Sequence, residues 1–161
     1  MQIRDYTDAD WPSIWPIFQS VVNAGETYTY DPAWTVEQAR GVWVEPSPAH
    51  TVVACDGPRI LGTAKMGPNR PGRGSHVATA SFMVAEDARG LGVGRALGEY
   101  ALDWARNQGY AAMQFNAVVE SNIAAVHLWQ ALGFRIIGTV PQAFEHPTRG
   151  RVGLHIMHQF L

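Results

Sequence analysis

The sequence predicts one α/β domain over residues 1–161, a mixed sheet of about seven strands with about four helices covering its faces. Three observations carry this. Short apolar runs alternate with segments of helical period. Three strands follow one another with no helical segment between them, which suits an antiparallel meander. The third of them leads through a glycine-rich turn into a helix and then another strand, the order of a parallel crossover. A chain of 161 residues holds one sizeable core and not two.

Ile3-Arg4 begins the first strand. Thr7 or Asp8 can cap a helix from about Ala9 to Asn23, with Pro12 in its tolerant first turn, Pro16 placed to distort or shorten it, and Gly25 as its stop. Glu26 to Pro32 is a polar and aromatic loop. Thr35 caps a second helix over Val36 to Val44, closed by Pro46 and Pro48. Strands follow at Thr51 to Cys55 and Arg59 to Met66, joined by Asp56-Gly57-Pro58, and the turn-rich loop Gly67 to Gly74 leads to a buried strand, Ala78 to Ala85. Leu97, Ala101 and Trp104 set the helix Ala96 to Gln108, stopped by Gly109. A strand at Ala111 to Val119, a helix at Asn122 to Ala131 with Gly133 behind it, and strands at Phe134 to Val140 and Val152 to Phe160 complete the order. Pro141 to Arg151 is expected as a loop.

Composition narrows the function. Apolar residues are 47% and charged residues 16%, an ordinary globular balance. Twelve basic and 14 acidic side chains give a net charge of −2, which offers no general attraction for nucleic acid or an anionic membrane. Cys55 is the only cysteine, so neither an intrachain disulfide nor a cysteine zinc cage can form. His146, His155 and His158 make no metal-ligand pattern, and no metal is expected. The N-terminus has acidic residues and no apolar core of a signal peptide, and no run is long enough to span a bilayer, so a cytoplasmic location is expected.

The chemistry concentrates at Arg89-Gly90-Leu91-Gly92-Val93-Gly94-Arg95. A glycine-rich turn that ends a strand and opens a helix presents unpaired main-chain N–H groups, and glycine lets a bulky anion come close. The helix N-terminus favours negative charge. The stretch reads as a pyrophosphate cradle, or else as a tight connection that holds nothing. The dinucleotide-binding fingerprint does not fit, because the spacing is Arg-x-x-Gly-x-Gly and the turn lies mid-chain; nor does a P-loop, for want of Gly-Lys-Ser/Thr.

Arg89, Gly92 and Gly94 match the Gln/Arg-x-x-Gly-x-Gly/Ala turn of the GCN5-related N-acetyltransferase superfamily, which binds acyl-CoA. Asn122, Ala125, Leu128, Trp129, Gly133 and Phe134 resemble its later motif, Asn-x-x-Ala-x-x-Leu-Tyr-x-x-x-Gly-Phe. The resemblance, which spans nearly the whole chain, implies an acyltransferase that moves acetyl from acetyl-CoA to an amine by direct attack, and it admits a homodimer. It implies that amides from Gly90 and Leu91 to Arg95 hold the CoA pyrophosphate, that Met83, Val84 and Ala85 pair with the pantetheine arm, and that Asn122 contacts that arm. It also implies that the Val84 N–H receives the developing oxyanion. Arg89 or Arg95 adds charge for the phosphates, or is simply solvated.

Trp129 departs from the family, where many members use tyrosine as the acid for the leaving thiolate; an indole N–H is no such acid. It walls the cofactor channel or packs the core. Glu26, in the loop that lines the acceptor site in the superfamily, and Glu120 are candidate bases, with His76 behind them; each is otherwise a surface group. Asn116 interrupts an apolar strand, so its amide is tied to neighbouring backbone or aimed at a ligand. Tyr28 and Tyr30 face one side in extended chain and, with Trp34 and Phe82, form an aromatic wall for a small amine or a satellite core. The second half of the chain is also similar to fungal proline-analogue N-acetyltransferases acting on azetidine-2-carboxylate, which implies roles for Asn116 and Asn122 and an amino or imino acid acceptor. Acetylation of a protein N-terminus or lysine, a CoA-binding sensor without turnover, and a purely structural domain are the rivals.

Overall fold

The computed structural model describes residues 1–161. Its elements are β1 (Gln2–Asp5), α1 (Trp11–Ala24), α2 (Val36–Trp43), β2 (His50–Asp56), β3 (Arg59–Pro68), β4 (Val77–Val84), α3 (Val93–Asn107), β5 (Ala112–Val119), α4 (Ile123–Ala131), β6 (Arg135–His146) and β7 (Gly150–Phe160). The seven strands form one sheet in the order β1-β2-β3-β4-β5-β7-β6. Every neighbouring pair is antiparallel except β4 and β5, which the α3 crossover makes parallel.

Both faces of the sheet are covered. α1 and α2 close one cluster, with Ile14, Phe18 and Trp43 against Val53, Ile60 and Met83. α3 and α4 close the other, with Leu97, Ala101 and Trp129 against Val52, Ala54, Met113 and Met157. Successive residues of β2 therefore face opposite cores, which is why that strand is an unbroken apolar run. Thr63, wholly buried, is satisfied: its hydroxyl donates to Val52 O at 2.8 Å and accepts from Trp43 Nε1 at 3.1 Å.

Pro16 neither shortens nor ends α1, which runs on to Ala24 and stops at Gly25 in the left-handed region. That helix begins at Trp11 instead of Ala9, because Asp8–Asp10 forms a tighter 3-10 turn. Thr35 and Gln38 make a reciprocal cap on α2. The expected loop at Pro141 to Arg151 is mostly strand: β6 and β7 form a long hairpin that absorbs Pro141 and Gln142 in an irregularity between Val140 and Phe144, with Gln142 at φ 52°. No helix is long and apolar enough to cross a membrane.

Asp10 ties β1 to the start of α1. Its buried carboxylate accepts from both Arg4 amino groups, at 2.7 and 2.8 Å, and from the Thr7 main chain at 2.8 Å. Hydrogen bonding from Arg4 holds the carboxyl at about 2, below its ordinary 3.8. The unfolded chain takes up this proton first, so the stabilisation is whole above pH 3.8 and is lost as pH falls through about 2. Thermal unfolding followed from about pH 5 downward should show that loss, and Asp10→Asn should flatten it while costing about 1–2 kcal/mol at neutral pH.

Candidate active site

The site begins where two strands separate. β4 and β5 pair only at Val77–Ala112 and Ala78–Met113; beyond these residues they diverge. On its other edge β4 stays paired with β3 as far as Val84. Ala85 N donates to Leu61 O at 2.8 Å, which sets the alternation: residues 79, 81, 83 and 85 direct their main-chain groups at β3. Ala80, Phe82 and Val84 turn N–H and C=O to the open side. The result is a cleft of about 490 Å³ between residues 79–84 and 115–119, roofed by the loop from Glu26 to Tyr30 and by the start of α4.

Tyr28 fills one step of that open edge. Its hydroxyl donates to Phe82 O at 2.7 Å and accepts from Phe82 N at 2.9 Å, as a neighbouring strand would. A tyrosine hydroxyl keeps its proton at neutral pH and can do both, and burial pushes its pKa further up. Its ring stacks on Tyr30 at 5.3 Å, which stacks in turn on Phe18 at 5.5 Å. Tyr28, Tyr30 and Phe82 all line the cleft, whereas Trp34 packs behind Tyr30 and does not. Trp129 takes both of its expected places. It is 7% exposed and packed on Phe82 and Phe115, and its ring still forms part of the wall.

The glycine turn follows β4 beyond Arg89, the last residue of that segment to line the cleft. Gly90 and Gly92 have φ of 78° and 81°, the left-handed region that glycine enters without strain. α3 starts at Val93, three residues earlier than expected, so Val93, Gly94 and Arg95 form its first turn. Gly92 is the cap and has no side chain to satisfy that turn. The N–H groups of Gly90, Gly92, Val93, Gly94 and Arg95 have no acceptor in the protein. A cluster of donors at a positive helix end fits a pyrophosphate. Leu91 N is different, since it bonds Ala88 O at 3.3 Å. Arg89 is exposed and lines the cleft; Arg95 reaches Glu99 at 3.6 Å one turn along its own helix.

The polar residues sort clearly. Glu26 is the only carboxylate lining the cleft. Glu120 lies outside it with its carboxylate spent on Gly153 N at 2.6 Å, and His76 is exposed elsewhere. Asn122 caps α4 through its carbonyl oxygen, which accepts from Ala125 N at 3.3 Å and leaves the NH₂ free. Asn116 corrects an expectation: it is exposed, because strand alternation places it on the face of Gln114, opposite the core residues Met113 and Phe115. Its amide is held by side chains, Nδ2 donating to Asn69 Oδ1 at 2.6 Å and Oδ1 accepting from Gln114 Nε2 at 2.9 Å, at the lip of the cleft. His155 and His146 bond Thr139 and Thr148.

Sequence reasoning missed three things here. The Tyr28–Phe82 bond joins residues 54 apart through main chain, which no residue type signals. Asn69 sits in a loop read only for its turn formers. A second, polar recess of about 330 Å³, lined by Glu26, Ser121, His146 and Arg149, depends on the hairpin tip that the sequence presents as loop.

A sheet parted beside a glycine-turn helix is an arrangement this chain shares with proteins of the GCN5-related fold. The family model "Acetyltransferase (GNAT) family" matches residues 3–134, and the chain belongs to that family. It is 34% identical over 146 residues to the L-methionine sulfoximine/L-methionine sulfone acetyltransferase of Pseudomonas paraeruginosa, covering 87% of this chain and 83% of that protein. It is 36% identical over 84 residues to N-acetyltransferase aca1 of Schizosaccharomyces pombe, covering 52% of this chain. The chain spans 40% of the length of aca1 and 13% of that of Protein SPT10 of Saccharomyces cerevisiae, another relative that it matches. Among solved structures, a GCN5-related N-acetyltransferase from Kribbella flavida superposes with a TM-score of 0.97 at 61% identity, covering 99% of this chain and 97% of that one. A phosphinothricin acetyltransferase from Sinorhizobium meliloti in complex with AcCoA superposes at 0.84 with 25% identity, over 99% and 88% of the two chains.

Gly92 carries a direct test of the turn. A Cβ there meets nothing within 4 Å, so the cost of Gly92→Ala is conformational alone. It should lower stability by about 1 kcal/mol in denaturant unfolding. Gly57→Ala, in a surface turn at φ 55°, serves as a strain control.

Proposed function

We propose that this chain transfers the acetyl group of acetyl-CoA to the amine of a small amino or imino acid, or a toxic analogue of one. The observation that carries the reading is the set of unpartnered main-chain donors that runs from Val84 on the open edge of β4 to the first turn of α3. The diphosphate would sit on the amides of Gly90 and Gly92 to Arg95. Leu91 contributes its position in that turn, and Arg89 adds charge. Met83, Val84 and Ala85 would flank the arm, with Asn122 and Trp129 on its other side. The complex of the phosphinothricin acetyltransferase with AcCoA supports the same use of this fold.

The chemistry needs a neutral amine, a polarised thioester carbonyl and close placement of the two. Glu26 takes the proton from the acceptor ammonium. The amine nitrogen then bonds the carbonyl carbon, and the Val84 N–H donates to the resulting oxyanion. As the C–S bond breaks, the thiolate leaves and the nitrogen gives up its second proton, directly or through water, to sulfur. Trp129 excludes water and donates no proton. Asn116, fixed by Asn69 and Gln114 at the lip, and Tyr30 face the acceptor.

A small acceptor suits a cleft of about 490 Å³ closed by an aromatic loop. The methionine sulfoximine and phosphinothricin enzymes among its relatives act on amino acid analogues by name, which supports that class. The match to aca1 and the presence of both Asn116 and Asn122 at the cleft support an imino acid such as azetidine-2-carboxylate.

Thiol release from acetyl-CoA, followed across azetidine-2-carboxylate, proline, phosphinothricin, methionine sulfoximine, polyamines and short peptides, tests the proposal. Turnover with an amino or imino acid is expected. Turnover with peptides alone would contradict the acceptor class, and cofactor binding with silence throughout would favour a sensor. With the acceptor found, Glu26→Gln should lower kcat/KM by roughly 100-fold at neutral pH. Acetyl-CoA affinity should not change.

A further inference from the structure

One residue of the open edge of β4 is already occupied. The Tyr28 hydroxyl takes both main-chain groups of Phe82, while Val84, the next residue facing the same way, has neither of its groups paired with a strand. Two residues along a strand span about 6.6 Å. The phenol does not yield easily: its ring stacks on Tyr30 and meets the edge of wholly buried Trp43 at 6.2 Å. A chain that advances along β4 from the glycine turn, pairing at Val84, therefore runs into an oxygen atom anchored at Phe82.

We infer that Tyr28 is the acyl-length stop of this enzyme, admitting an acetyl group and turning away longer acyl chains. This rests on the acetyl-CoA reading above. A butyryl chain bound in the same register has two ways to fit. It can displace the phenol, breaking two main-chain hydrogen bonds and leaving the Phe82 N–H and C=O unpaired in an apolar wall. Otherwise it bends into the space beside Glu26 that the acceptor needs. Both are costly, and the selectivity sits in one side chain of a loop remote in sequence from the cofactor motif.

Calorimetric titration of acetyl-CoA and butyryl-CoA into the wild-type protein, Tyr28→Phe and Tyr28→Ala tests this without an acceptor. The wild type should prefer acetyl-CoA by roughly tenfold or more, since one methylene in a closed pocket gives that much and butyryl adds two. Tyr28→Phe keeps the ring and removes the latch, and should narrow that ratio. Tyr28→Ala should abolish or reverse it. Thermal unfolding checks that each variant is folded, and Tyr28→Phe alone decides the matter if the alanine variant is not. Equal affinities in the wild type, or an unchanged ratio in a folded variant, overturn the acyl stop and leave the cofactor reading intact. Failure of the wild type to bind either thioester overturns the cofactor reading, and the stop with it.

Discussion

The parting of β4 and β5 after their second paired residue governs the rest of this molecule. A parallel pair ordinarily satisfies both strands along their length, and an unpaired polar edge inside a fold is expensive. Here Ala80, Phe82 and Val84 keep their main-chain groups on the open side, and the structure meets that cost in different ways along the strand. Tyr28 supplies a hydroxyl to Phe82. Val84 stays open beside the glycine turn. The cleft is a consequence of sheet geometry; side chains decide only which steps of the edge remain available.

Two devices hold the strands apart. On one face the aromatic rings of Phe82, Phe115 and Trp129 wedge between them, with Phe134 stacked on Phe115 at 4.2 Å. On the other, the Tyr28–Tyr30–Phe18 stack fixes the loop after α1 against β4. Gly98 permits this packing, since a Cβ there would stand 2.9 Å from the Trp129 ring. Tryptophan at that position thus has a structural reason that is independent of proton transfer. An indole N–H is no proton donor for a thiolate, and the acetyl transfer proposed here returns the proton through the amine.

Much of this was legible in the sequence because it is local. The glycine turn, the cap at Asn122 and the crossover order are written in adjacent residues, and the structure has each of them. The start of α3 was not, since Gly92 begins the helix through backbone conformation without a capping side chain. Pro141 and Gln142 read as loop because their turn chemistry is real, yet pairing with β7 resumes at Phe144 and carries the hairpin on to its last rung, His146 with Gly150. Asn116 sits among apolar neighbours, yet it shares the face of Gln114, opposite Met113 and Phe115; which face of the strand meets the core is decided by packing and not by the residues around it. The partner of Tyr28 was hidden for a different reason, as main chain distant in sequence leaves no mark in composition.

The most direct measurement is a titration of ¹⁵N-labelled protein with acetyl-CoA, following main-chain amide signals. The account predicts the largest shifts at Val84, Gly90 and Gly92 to Arg95, with the Phe82 amide little changed because Tyr28 already holds it. Saturable binding with those signals unmoved, and shifts gathered instead at the polar recess beside Arg149, would contradict it.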